Sequence, residues 1–137
     1  MTAARSSRTF DRAVSAVPEI AGFVRGCFQP TGMAPEHLEA IQLAVEEVFT
    51  NMVKYSAGRE RILIELFRTE HEASASLTDY DVDEYDIRSA PEVDVHAPLD
   101  SRRPGGLGIH LVKKLMDRID YRYHDRCGTT IVTRKLE

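Results

Sequence analysis

The chain has 137 residues, 42% of them apolar, with 18 basic and 22 acidic side chains, two cysteines and no tryptophan. That length is the usual allotment of one domain, 1–137, and the apolar share is enough for a normal core, which excludes a wholly disordered chain. The net charge of −4 argues against a general nucleic-acid binder and hides a split: residues 79–100 hold eight acidic side chains against one basic, and residues 101–137 hold nine basic against four acidic.

Met1 to Arg12 lacks the apolar segment of a secretory signal and reads as polar lead-in, flexible to about residue 8. Cys27 and Cys127 are too far apart in a chain of this kind to suggest a disulfide framework, so two reduced thiols in a cytoplasmic protein are expected. Thr9 to Val14 suits a short strand. Val17-Pro18-Glu19 opens a helix, since proline fits the first turn, where its missing N–H costs nothing. Ile20, Phe23, Val24 and Cys27 or Phe28 share one face of it, and Gln29-Pro30-Thr31-Gly32 ends it. Ala34-Pro35-Glu36 opens a second helix that runs to about Tyr55, with Leu38, Ile41, Val45, Val48, Phe49 and Met52 as its apolar stripe.

From Arg61 the period changes to the alternation of a strand, Ile62 to Phe67, and a turn at His71-Glu72 leads into a second strand, Ala73 to Thr78. The acidic segment that follows has no regular period through Asp100 and contains Pro91 and Pro98, so a long loop is expected, a feature usually tied to function. No run of apolar residues anywhere approaches the roughly 20 needed to cross a bilayer. Gly105 to Met116 reads as a third helix, with Leu107, Leu111 and Leu115 on one side. Ile119 to His124 and Thr129 to Leu136 alternate as strands around a turn at Asp125-Arg126-Cys127-Gly128. Strand pairs joined by short turns predict mostly antiparallel pairing. Helices this apolar on one side must cover a sheet face, so the fold class is a two-layer α/β sandwich with about three helices on one face.

Three constellations could carry chemistry. Glu47-x-x-x-Asn51-x-x-x-Tyr55 sets a carboxylate, an amide and a phenol in one row of the second helix. A carboxylate can accept a proton from a hydroxyl, and an amide oxygen is a hard neutral ligand suited to Mg²⁺. Taken alone the row also fits a solvated polar face. The second constellation is Arg103-Pro104-Gly105-Gly106-Leu107-Gly108, running into a helix. Its glycines allow close backbone approach, and a helix N-terminus receives phosphate well. The Lys-[Ser/Thr] of a P-loop and the preceding strand of a dinucleotide fingerprint are both missing. The third is the acidic run Asp79-Tyr80-Asp81-Val82-Asp83-Glu84, which imitates the start of a calcium loop. Glu84 stands where glycine is needed and Ala90 where glutamate is needed, so a solvated acidic loop is the better reading.

The order of these features resembles the Bergerat-fold (GHKL) ATPases. Within them, the wording "LAVEEVFTNMVKYS" and "RPGGLGIHLVKKLMD" is similar to the anti-sigma-factor serine/threonine kinases, over roughly residues 10–136. The resemblance implies binding of ATP or ADP with Mg²⁺. It implies Glu47 as general base, Asn51 as Mg²⁺ ligand, and Tyr55 near the phosphates. Gly105, Gly106, Leu107 and Gly108 would form the glycine box, with Arg103 reaching the terminal phosphate and a lid over residues 87–103. Partners would be a sigma factor and a STAS-type anti-anti-sigma protein, with a homodimer and no direct contact to nucleic acid or membrane.

The family also has an Asp-x-Gly pattern, whose aspartate meets the adenine amino group. Here no glycine lies between Gly58 and Gly105. Counting back from Tyr85-Asp86 favours Asp81 as that aspartate, with Val82 in the glycine position; counting from the strand end favours Asp79. Two functions follow: a kinase of this type, or a non-catalytic anti-sigma or partner-switching module with a degenerate nucleotide site.

Overall fold

A computed structural model describes residues 3–89 and 106–137, with the backbone alone for 106–108. The described elements run β1 (Ala4–Phe10), α1 (Val17–Phe28), α2 (Pro35–Tyr55), β2 (Ile62–Arg68), β3 (Glu72–Tyr80), α3 (Gly106–Leu115), β4 (Arg118–His124) and β5 (Cys127–Lys135). The strands form one sheet in the order β1-β2-β3-β5-β4, with every described pairing antiparallel. The fold class expected from the sequence is the one observed.

The helices begin and stop where local chemistry dictates. Pro18 and Pro35 occupy the first turns of α1 and α2. Between them Gly32 adopts a left-handed conformation, φ 80°, which costs glycine nothing and reverses the chain. α1 buries Ile20, Val24 and Phe28; α2 buries Leu38, Ile41, Val45, Val48, Phe49 and Met52. Both cover the sheet face formed by Ile62, Ile64, Leu66, Ala73, Ala75, Leu77 and Val132.

Three expectations need correction. First, the residues read as polar lead-in form most of β1, which starts at Ala4 rather than Thr9. Its sequence, Ala-Arg-Ser-Ser-Arg-Thr-Phe, carries almost no apolar alternation, because β1 is an edge strand and only Phe10 is buried in the core. Backbone pairing to β2 and a cation–π contact of Arg5 over Phe67, 5.5 Å, hold it in place of an apolar stripe. Second, the buried side of α3 is Ile109 and Val112, continued by Met116, whereas Leu111 is exposed. Of the expected leucine row, Leu115 is half-buried against the core and Leu111 is not packed into it. Third, the β4–β5 turn is the two-residue turn Asp125-Arg126, and Cys127 and Gly128 already belong to β5. No helix among the described residues is long and apolar enough to cross a membrane.

Candidate functional site

The polar row on α2 is formed as its spacing requires. Asn51 is 2% exposed, and its Nδ2 donates both to the Glu47 backbone carbonyl at 2.8 Å and to Glu47 Oε1 at 3.0 Å. Both amide hydrogens are therefore spent on Glu47, which leaves the amide oxygen as the group Asn51 can offer a ligand. Glu47 is half-buried, and one of its carboxylate oxygens is oriented by the amide. Tyr55, one turn further, is 40% exposed.

One position on from this row, Val48, Met52 and Ser56 follow the same spacing and line a cavity. Its other walls include Asp79 at the end of β3, Val82, Tyr121 on β4, and Gly128 and Thr130 on β5. It opens to solvent, and the space in it that a water-sized sphere can occupy is about 10 Å³. Ser56 Oγ, on its wall, is buried and has no hydrogen-bond partner among the described residues. α2 thus presents a metal-compatible polar row and a cavity wall side by side.

The two candidate aspartates separate sharply. Asp79 is 3% exposed, lines the cavity, and is ion-paired with Arg12. Arg12 also donates from Nε to the Glu60 carbonyl at 3.1 Å and from Nη1 to the Met52 carbonyl at 3.2 Å. Desolvation lowers the Arg12 pKa from its usual value, yet a guanidinium starts so high that it stays charged. Asp81 is exposed and pairs with Arg126 Nε at 2.9 Å, while Arg126 Nη1 reaches Asp83 at 2.9 Å. These two hydrogen bonds, Asp81 first, raise the Arg126 pKa. Asp81 also has φ 54°, the left-handed region that favours glycine. Val82 has no positive φ. The left-handed backbone that glycine favours is therefore at Asp81 and not at Val82.

Val82 is clamped from both sides: its N–H donates to the Arg126 carbonyl at 3.0 Å, and Tyr123 Oη donates to its carbonyl at 2.7 Å. Nearby, the Tyr85 N–H donates to Tyr121 Oη at 3.0 Å, and burial, the largest cause, raises the Tyr121 pKa. The Val82 side chain packs over Gly58, where a Cβ would stand 2.6 Å from Val82 Cγ1 and would collide with the Arg12 guanidinium. Gly58 is glycine for lack of room. Sequence reasoning missed Arg12, Gly58 and Tyr121; a lone arginine before a helix, a glycine in a linker and a tyrosine in a strand carry no motif. The acidic segment also turns out to be matched by arginines, Asp79 with Arg12, Asp81 and Asp83 with Arg126, Asp86 with Arg88. Among the described residues no cluster of three metal-ligating side chains exists.

Gly106, Leu107 and Gly108 form the first turn of α3. Arg103, Gly105 and the expected lid beyond Ser89 lie outside the described residues.

A model of the histidine kinase-like ATPase domain matches residues 10–135. The chain belongs to that family. It is a Bergerat-fold (GHKL) ATPase domain related to the anti-sigma-factor kinases. Serine-protein kinase RsbW of Bacillus cereus (strain AH187) is 26% identical over 117 residues, covering 82% of this chain and 72% of the relative. Sensor histidine kinase YxdK of Bacillus subtilis (strain 168) is 29% identical over 92 residues, 59% of this chain and 26% of the relative. Among solved structures, the RsbU and RsbW domains of Rv1364c from Mycobacterium tuberculosis superpose with a TM-score of 0.66 at 15% identity, over 96% of this chain and 32% of that one. The last likeness concerns the fold alone, and the chain spans only about a third of that longer protein.

Proposed function

We propose that this domain is an ATP- and Mg²⁺-dependent serine/threonine protein kinase of the anti-sigma-factor type, which switches between a sigma factor and a STAS-type antagonist protein. The observation that carries this reading is the Glu47–Asn51 hydrogen bond on the same helix that walls the Asp79 cavity. Asn51 would hold Mg²⁺ through its amide oxygen, the hard oxygen ligand that ion prefers. The bound ion would neutralise charge on the transferred phosphoryl group. Glu47 would take the proton from the partner's serine hydroxyl as its oxygen attacks the terminal phosphorus. The bond to the leaving diphosphate then breaks, and the diphosphate carries the electron pair. Asp79 would accept a hydrogen bond from the adenine amino group; Asp81, engaged with Arg126 at the surface, is not assigned that role. The backbone of Gly105, Gly106, Leu107 and Gly108, with Tyr55 and Arg103, would face the phosphates under a lid within residues 87–103. The partners, a homodimeric state and a cytoplasmic location belong to the same proposal.

Titration calorimetry with ADP and Mg²⁺ tests nucleotide binding, and transfer of labelled phosphate from ATP to a STAS-type protein tests the chemistry. Glu47→Gln is expected to lower transfer by at least about 100-fold with little loss of ADP binding. Full activity in that variant would remove Glu47 from the role of base.

A second reading has its own observation. The cavity beside Asp79 leaves room for little more than water, and an aspartate, Asp81, takes the left-handed backbone that glycine favours. In this reading the domain binds its protein partners without nucleotide. Absence of binding heat at millimolar ADP would select it.

A further inference from the structure

Arg12 lies outside every motif, yet its guanidinium joins three separate parts of the chain. One nitrogen holds the carbonyl of Met52 in the last turn of α2, another the carbonyl of Glu60 before β2, and the third the carboxylate of Asp79 at the end of β3. Two of these contacts are to residues that line the cavity, Met52 on α2 and Asp79 on β3. The side chain is 10% exposed and that of Asp79 is 5% exposed, so neither is a mobile surface group. Gly58 is bare where Arg12 passes. A planar fork with five donors can serve three acceptors in different directions, which an ammonium on a flexible stem does poorly.

An ionised carboxylate has about four acceptor positions on two oxygens. Arg12 occupies Asp79 Oδ1, and the remaining capacity belongs to a side chain that lines the cavity. We propose that Arg12 is the positioning residue for Asp79: by tying one carboxylate oxygen to the last turn of α2, it aims the carboxylate at the 6-amino group of a bound adenine and so sets the preference for 6-amino over 6-oxo purine nucleotides. This rests on the nucleotide-binding reading above. A fixed, ionised acceptor meets the amino group of adenine as a donor but meets the 6-carbonyl of hypoxanthine as a second acceptor, with no proton between them. Without Arg12 the carboxylate is buried and unpaired. It then takes up a proton or turns away, and a protonated carboxyl donates to a carbonyl as readily as it accepts from an amine.

The test is calorimetric affinity for ADP and for IDP, each with Mg²⁺, in the parent, Arg12→Met and Arg12→Lys, with folding checked by circular dichroism. The parent is expected to prefer ADP by about 10-fold or more. In Arg12→Met the preference should shrink to about 2-fold, chiefly through weaker ADP binding. Arg12→Lys keeps the charge and loses part of the three-way link, so an intermediate preference is expected; it carries the test if the methionine variant does not fold. A preference equal to the parent's in whichever variants fold, even with both affinities lowered, overturns the inference and leaves Arg12 as a structural tie. A parent that binds neither nucleotide overturns both the inference and the kinase reading.

Discussion

Two arginines answer the same acidic segment at opposite ends, in different surroundings. Arg12 meets Asp79 inside the molecule, with side chains 10% and 5% exposed; Arg126 meets Asp81 and Asp83 outside it, with 56%, 74% and 91% exposed. The pairs share their chemistry and differ in solvent. In water an ion pair gains little over its hydrated partners, and salt screens it. Inside, neither charge can be left alone, so each member depends on the other. The lesson is that the acidity of residues 79–83 is two features: a buried charge built into a cavity wall and a solvated cluster that ties the β4–β5 turn to the loop after β3. The second holds backbone rather than charge. Asp125 and Arg126 both have positive φ, 48° and 60°, in a turn type that favours asparagine and glycine. The Arg126 carbonyl receives the Val82 N–H, so this strained turn positions Val82 against the cavity.

The contrast can be broken by substitution. Asp79→Ala leaves the Arg12 charge buried and unpaired, and is expected to cost about 3–5 kcal/mol of unfolding free energy in urea titration. Replacing both members, Arg12→Leu with Asp79→Leu, should restore much of that loss, because the cost lies in the orphaned charge. A double variant as unstable as the single one would mean that the pair acts through its hydrogen bonds to backbone instead. Next in size, Gly58→Ala places a methyl against Arg12 and Val82 and should cost about 1–3 kcal/mol by the same measurement. A neutral outcome would show that Arg12 is free to move aside, which contradicts its role as a tie.

Smaller again, Asp81→Asn, which keeps a residue that tolerates the left-handed backbone, should leave the melting temperature within about 2 °C of the parent, with the difference vanishing in high salt. A large loss would place the Arg126 cluster on the same footing as the Arg12 pair. The smallest effect concerns pH. The hydrogen bond from Arg88, the largest cause, lowers the Asp86 pKa from 3.8. A carboxylate whose folded pKa is depressed contributes stability above its unfolded pKa and loses that contribution as pH falls through the folded value. From about pH 3.8 downward the parent and Arg88→Ala should therefore begin to converge in urea unfolding, having differed slightly above it.

Much of the molecule was legible in the order of residues. Prolines and the αL glycine mark the helix ends, the apolar stripes of α1 and α2 are the buried faces, and Glu47 and Asn51 sit one helical turn apart and do bond. These are local properties, carried within a few residues by backbone geometry. β1 was not legible, because an edge strand held by main-chain pairing needs no apolar alternation. The buried side of α3 was missed for a related reason. A side with Leu111 and a side with Ile109, Val112 and Met116 are both compatible with a helix, and only the neighbouring surface of α2 chooses between them.

The two aspartates show the same limit. Asp79 and Asp81 are identical side chains separated by one residue, and nothing in their immediate sequence says which is buried. The β3 ladder carries Asp79 into the layer beneath α2, where Arg12, 67 positions earlier, meets it; one residue past the strand, Asp81 turns left-handed and faces water. The sequence by itself determined the helices, the inner strands, the family and the polar row of α2, since those depend on short-range spacing. Which acid is buried, what ties it down, and how little space remains beside it were decided by the tertiary structure, because burial and charge pairing arise only when distant segments share one volume.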